Sequence, residues 1–114
     1  MKLVKTNPLE IKKYGVQFIE QLRNLEEELS NLLEQYGYRI AYHYELESLA
    51  IDEEDVKLVE EELGKKPVLT IPLVRVREPF DGIYRAIVLD DAEVIIIKVQ
   101  FTDRGVVKDI IKLE

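Results

Sequence analysis

The side chain best suited to acid–base or metal chemistry in this chain is its single histidine, His43. It lies in the alternating stretch 38–46, where Glu45 has the same parity, and Glu47 follows two residues later. On a strand these three side chains would point to one face, and an imidazole beside carboxylates can bind a metal or transfer a proton. Successive residues on one strand diverge, however, whereas tight sites take ligands from separate elements. We therefore predict no catalytic residue, no metal site and no cofactor.

A second group with possible chemistry is basic. Arg75, Arg77 and Arg85 form the densest cluster of positive charge. On adjacent antiparallel strands they would share one face and could contact a phosphate, a carboxylate or nucleic acid. The alternative is that they form cross-strand ion pairs with neighbouring acids.

Four of the six tyrosines lie within nine residues, at positions 36, 38, 42 and 44, with Arg39 among them. Aromatic residues interleaved with a base can stack on single-stranded nucleic acid. Three of these tyrosines share a strand face with Ile40 and Leu46, which is also typical of a core or a protein interface.

One pair of segments resembles a known catalytic core. Phe80-Asp81-Gly82 followed by Ile96-Ile97-Lys98 resembles the Asp…Glu-x-Lys pattern of the restriction-endonuclease-like nucleases, in which two acids hold magnesium and the lysine assists. The second acid is replaced by Ile96 in this chain, and Glu93 has the opposite parity. Metal-dependent hydrolysis of this kind needs that carboxylate, so the sequence argues against nuclease activity.

The charge is concentrated rather than diffuse. The net charge is −7, yet the segment 45–62 alone carries nine acids and one base, Lys57. We interpret this segment as an acidic surface that either keeps the chain solvated or attracts and steers a basic protein partner. The residues predicted to form that surface are Asp52, Glu53, Glu54, Asp55, Glu60 and Glu61.

Composition narrows the class of protein. The chain has 114 residues, 46% of them hydrophobic, and no cysteine. These figures indicate one domain with a real core and exclude a disulfide framework or a thiol nucleophile. The acidic balance disfavours nucleic acid as a partner, and no apolar run is long enough for a membrane span. Abundant Glu and Lys with only four Gln are typical of hyperthermophiles, which predicts an archaeal or archaeal-virus origin and a cytoplasmic location.

The first element that would position these groups is helical. Asn7 and Pro8 form a start signal, and apolar residues then follow at steps of three and four through 8–36. Either the helix is continuous, or Gly15 divides it. The later, narrow part of the seam predicts self-association as a homodimer, and the alternative is packing on the chain's own sheet. The residues predicted to form the contact are Leu22, Leu25, Leu29, Leu32 and Tyr36.

The remaining elements are a strand at 38–46, an acidic helix from Asp52 to a stop at Gly64, and a series of strands. Strands are predicted at 68–77, 83–89, 94–101 and 106–113, with the last also compatible with a helix. Pro72 predicts an edge or a bulge in the first of these, and the apolar 94–101 strand is predicted to be central.

The sequence therefore predicts an α+β fold with a single domain over 1–114, divided into a helical, acidic part (1–66) and a β-meander part (67–114). The long N-terminal helix, one strand and the short acidic helix precede an antiparallel meander of three or four strands, with the helices on one sheet face. The leading functional prediction is a non-enzymatic protein–protein interaction module. The alternatives are a nucleic-acid-associated regulator and a small metal-dependent enzyme.

Overall fold

A computed structural model of the chain describes residues 1–14, 19–41, 51–77 and 80–113, and every structural statement below refers to these ranges. It is an α+β structure with three helices and five strands in the described residues. The helices are α1 (Pro8–Tyr14), α2 (Ile19–Glu34) and α3 (Glu53–Leu63). The strands are β1 (Tyr38–Ile40), β2 (Pro67–Arg75), β3 (Ile83–Leu89), β4 (Val94–Thr102) and β5 (Gly105–Lys112).

The five strands form one antiparallel sheet in the order β1-β2-β3-β4-β5. The sheet is a simple meander in which each strand pairs with the next one along the chain. The predicted 83–89 strand is confirmed, and 106–113 is a strand rather than a helix. The predicted 94–101 strand is an interior strand of the sheet: β4 pairs with β3 on one side and with the edge strand β5 on the other, and β3 occupies the middle of the five.

The described part of the N-terminal helical region contains two helices, α1 and α2. The side-chain oxygen of Asn7 accepts a hydrogen bond from the Leu9 amide at 3.0 Å and caps α1 as predicted, and Pro8 takes the first helical position. Between α1 and α2 lie residues 15–18, which are outside the described ranges. Within those ranges, no helix is both long enough and apolar enough to cross a membrane.

The helices lie on both faces of the sheet, so the prediction of helices on one face is wrong. Leu25 and Leu29 of α2 join a core with Tyr84 and Ala86, while Val59 of α3 joins a separate core with Ile87. Successive residues of a strand face opposite sides. Because the inner strands are apolar at both parities, each of their faces can accept a helical layer.

Pro72 lies in a regular part of β2, and the predicted bulge at this residue is wrong. The register runs without a shift from Leu69 to Leu73, and the irregularity lies between Pro67 and Leu69. The Pro72 carbonyl accepts from the Ala41 amide at 2.9 Å. Since the N–H and C=O of a strand residue point to the same side, the missing N–H of Pro72 faces β1 just where that short strand ends.

The N-terminus is fastened to the start of β4. The Met1 amino group donates to the Leu113 carbonyl at 3.0 Å, and the Val94 amide donates to the Met1 carbonyl at 2.9 Å. The Leu3 amide donates to the Ala92 carbonyl at 2.8 Å. These bonds place Leu3, which is 5% exposed, in the α1/α2-side core.

Candidate functional site

The acidic helix α3 has well-defined ends. Asp52 has extended backbone geometry and its side chain accepts a hydrogen bond from the Asp55 amide at 2.9 Å. Gly64 adopts a left-handed conformation, with φ at 65°, and its amide donates to the Glu60 carbonyl. Acids in the first turn are favoured by the positive end of the helix dipole. The predicted start and stop of this helix are confirmed.

One side of α3 is held against the sheet. Val59 is fully buried among Ile87, Leu89, Ile95 and Ile97. Leu58 and Leu63 pack against the same cluster from a half-buried position. Burial of this kind stabilises a docked helix by roughly 1.5–3 kcal/mol per large apolar side chain, so the outer side of α3 has a definite orientation.

The outer side of α3 carries the acidic surface. The exposed acids are Asp52, Glu53, Glu54, Glu60, Glu61 and Glu62. Glu54 approaches Lys108 of β5 at 3.4 Å. Among the described residues, no base forms an ion pair with Glu53, Glu60, Glu61 or Glu62. Most of this charge is therefore uncompensated within the described part of the chain.

Asp55 does not belong to this surface, and its placement there is wrong. Its side chain is 3% exposed and accepts a hydrogen bond from the Lys108 Nζ at 2.7 Å. Burial of Lys108 acts to lower its pKa, but the hydrogen bond and the charge of Asp55 outweigh that effect and the pKa is raised. The pair joins the first turn of α3 to the middle of β5.

A groove runs between α3 and the edge strand β5. Val106 faces the same side of the sheet as Lys108, because the two are separated by one residue on the strand. Its cross-strand partner is Phe101, and these side chains are 56% and 69% exposed. The groove is lined by Glu54, Lys57, Leu58, Glu61, Val106 and Lys108. The acidic helix thus borders an apolar, open strip of the sheet.

Two of the five residues predicted for self-association lie inside the chain instead. Leu25 and Leu29 are fully buried in the core between α2 and the sheet, together with Leu33, which the predicted seam omitted. A side chain without exposed surface cannot contact a second copy, so the prediction is wrong for Leu25 and Leu29. The remaining members of the seam, half-buried and packed against the same core, are Leu22, Leu32 and Tyr36.

The three predicted basic residues do not share a face. Arg75 pairs in register with Tyr38 on the α1/α2 side of the sheet. Arg85 has the parity of Ile87 and therefore lies on the α3 side. Arg77 follows the end of β2, exposed and with φ at 65°. The predicted common surface for an anion or nucleic acid does not form.

Arg75 belongs to a polar cluster at one end of the sheet. The Tyr84 hydroxyl donates to Asp81 Oδ1 at 2.8 Å and accepts from Arg75 Nη1 at 3.2 Å. Lys98 Nζ donates to Asp81 Oδ2 at 2.9 Å. The guanidinium carbon of Arg75 also lies 5.9 Å from the ring centroid of Tyr38 and 5.4 Å from that of Tyr84. The carboxylate of Asp81 thus interacts with two cations and one hydroxyl group.

These contacts set the ionisation of the cluster. Hydrogen bonds from Lys98 and Tyr84 lower the pKa of Asp81 below 3.8. The hydrogen bond to Asp81 raises the pKa of Lys98. Burial raises the pKa of Tyr38, opposed by the charge of Arg75.

Gly82 lets the turn that carries Asp81 approach β4. A Cβ at this position would lie 2.8 Å from the Val99 carbonyl oxygen, which is closer than packed atoms tolerate. The absence of a side chain therefore allows Asp81 to reach Lys98. The nuclease-like pattern in the sequence included Asp81 and Lys98. Tyr84 and Arg75, which complete the cluster, had no local sequence signal that predicted their contact with Asp81.

The nuclease resemblance is met in one respect and fails in another. Asp81 and Lys98 are adjacent, as that family would require. Ile96 is fully buried in the core where the second acid would lie. Within the described residues, no group of three or more acidic, histidine or cysteine side chains could hold a metal ion. What the described residues show here is an ion-pair network of Asp81 with Lys98 and Arg75.

His43, Glu45, Glu47 and most of the predicted 38–46 strand lie in the range 42–50, outside the described residues. The strand is confirmed for Tyr38–Ile40.

The chain was also compared with known proteins. No protein-family model matches it, and neither a curated protein nor a solved structure gives a match.

Proposed function

We propose that this protein is a non-enzymatic interaction module that binds a basic protein partner through the exposed acids of α3. The observation that supports the proposal is a helix that, together with its N-cap Asp52, presents six exposed carboxylates and is held on the sheet by Val59 and by the Asp55–Lys108 ion pair. A rigid array of one charge attracts an opposite charge before contact and restricts its orientation. Acids that only keep the chain solvated would need no fixed orientation.

The two sheet faces differ in a way that favours α3. A second group of acids, Glu26, Glu27, Glu28 and Glu34, lies on α2. This helix and α3 lie on opposite faces of the sheet. In addition, Glu28 accepts hydrogen bonds from the Val4 and Lys5 amides at 2.7 and 2.9 Å. The acidic surface of the proposal is therefore that of α3 alone.

The nucleic-acid alternative lacks a supporting surface in the described residues. It required Arg75, Arg77 and Arg85 to act together with the tyrosines, but Arg75 and Arg85 lie on opposite faces. Arg75 is also engaged with Asp81 and Tyr84. Homodimer formation stays a prediction, now without Leu25 and Leu29 as contacts.

The test uses a short fluorescein-labelled peptide in which lysine alternates with threonine. The variant E53Q/E60Q/E61Q removes three charges from α3, and the matched control E10Q/E27Q/E34Q removes three exposed charges from α1 and α2. We expect the α3 variant to weaken binding about tenfold or more and to reduce its salt dependence. The control should stay within about twofold of the original chain. Equal weakening by the two variants would contradict the proposal.

A further inference from the structure

The edge strand β5 offers an open hydrogen-bonding row. Its eight residues, Gly105–Lys112, pair with β4 on one side, and among the described residues no strand pairs with the other side. At about 3.4 Å per residue this edge is about 27 Å long. Unpaired backbone groups of an edge strand can pair with a strand from another chain.

The two sides of this edge have different chemistry. On the α3 side, Val106 and Lys108 adjoin Glu54 and Glu61 across the groove. Lys108 does not repel a cation there, because its charge is engaged by Asp55 and Glu54. On the opposite side, Val107 is 44% exposed. A strand added to this edge would place alternate side chains beside the acids and the others beside an apolar surface.

A second copy of the chain fits this edge poorly. Two β5 strands paired antiparallel would be related by a two-fold axis perpendicular to the sheet. Both α3 helices would then lie on the same face of the joined sheet, next to the junction. Each α3 helix carries acids along its exposed side, and Lys57 is the single basic residue within Glu53–Leu63. Like charges facing each other oppose association.

We infer that β5 accepts an extended, basic segment of a partner protein as a sixth strand, with alternate lysine or arginine side chains directed at Glu54 and Glu61. The inference rests on the proposed function and specifies the conformation of the partner and the backbone that it pairs with. Main-chain hydrogen bonds to β5 supply affinity, and the acids of α3 select positive charge at every second residue.

The test again uses the lysine–threonine peptide, now with two N-methylated versions. One version carries methyl groups on the lysine amides and the other on the threonine amides. In a paired strand, alternate N–H groups point towards β5 and towards solvent. One version should therefore lose binding by about tenfold or more through lost hydrogen bonds, while the other should bind like the unmodified peptide.

Hydrogen exchange provides a second readout. Peptide binding should slow exchange of backbone amides within Gly105–Lys112 and leave those within Tyr38–Ile40, at the opposite edge, unchanged. If both methylated peptides bind equally well, and the α3 charge variant still weakens binding, strand addition is wrong while the proposed function stands. If no peptide binds, both fail. Protection of β5 amides that depends on protein concentration without peptide would assign the edge to a second copy and overturn the inference.

Discussion

Lys108 on β5 donates a 2.7 Å hydrogen bond to the carboxylate of Asp55 on α3, across 53 residues of sequence. The Asp55 side chain is 3% exposed and the Lys108 side chain 21%. The pair is thus shielded from water on the acid side and reaches solvent on the lysine side. The pair links α3 to β5, the edge strand at which we propose that a partner protein docks.

Removing either charge of this pair should destabilise the fold. We expect D55N or K108M to lower the free energy of unfolding by about 2–3 kcal/mol, because K108M leaves the buried Asp55 carboxylate without its partner and D55N leaves Lys108 only the exposed Glu54. E54Q is the matched control, since Glu54 is 84% exposed and should contribute less than about 0.5 kcal/mol. Urea denaturation measures all three. A D55N cost no larger than that of E54Q would contradict the argument.

Leu29 should behave as a core residue and not as a contact between copies. Its side chain is fully buried, so L29A should cost about 3 kcal/mol through lost burial and a residual cavity. L9A is the control, because Leu9 is 50% exposed and should change stability by well under about 1 kcal/mol.

A charged residue in place of Leu25 and Leu29 distinguishes a role in the core from a role in contact between copies. L25E/L29E should unfold the chain, which circular dichroism would show as a loss of helical signal. A folded monomer produced from a dimer, seen by light scattering, would instead restore the self-association prediction.

Gly82 should tolerate no side chain. G82A places a methyl group against the Val99 carbonyl and forces the turn away from β4, at a cost of about 1–3 kcal/mol. The shift should also separate Asp81 from Lys98. G64A is an instructive comparison, since open space surrounds that position but its φ is 65°. Its cost should come from backbone strain alone, about 1 kcal/mol. NMR shifts of the Lys98 amide should move in G82A and stay unchanged in G64A.

The Asp81 cluster should make stability depend on acidic pH. The pKa of this carboxyl is lowered from 3.8 in the folded chain. Its contribution is therefore complete above that value and is lost as the pH falls through the lowered pKa. The difference in melting temperature between the original chain and D81N should shrink between about pH 5 and about pH 2.

D103N serves as the control for this experiment, because Asp103 is exposed in the β4–β5 hairpin. Burial acts to raise the pKa of Asp91, but hydrogen bonds from the Glu93 amide and from Lys65 outweigh it and the pKa is lowered. Asp91 is present in every variant, so its effect cancels in the comparison. A difference between the original chain and D81N that stays constant with pH would contradict the role assigned to Asp81.

Local signals predicted most of the secondary structure. Asp52 and Gly64 mark α3 because capping depends on residues within one turn of the helix end. The segment 106–113 was compatible with both a strand and a helix, and the structure shows the strand β5 (Gly105–Lys112). The prediction of a bulge at Pro72 was wrong because the sequence of one strand does not show where its neighbouring strand ends. Pro72 needs no bulge, since its missing N–H faces the end of β1.

The candidate surface was predicted in part. Five of the six acids assigned to it are exposed, while Asp55, which has the same type and neighbours, is buried. Asp55 lies one helical turn before the buried Val59 and therefore shares its face of α3, whereas Glu54 does not. That an acid is accepted on this face depends on Lys108 of a distant strand. Likewise, Arg75 and Arg85 do not share the expected face because the β2–β3 register pairs Arg85 with Pro72, whose side chain points away from the face of Arg75.

By itself, the sequence determined which segments are helical or extended, how several of them begin and end, and that negative charge is concentrated near α3. These properties depend on neighbours within a few residues. The tertiary structure alone decided which sheet face each helix covers, because β2, β3 and β4 are apolar on both sides and accept either. It also decided that Leu25 and Leu29 are core and that Asp55 is paired, since burial depends on what lies opposite in space.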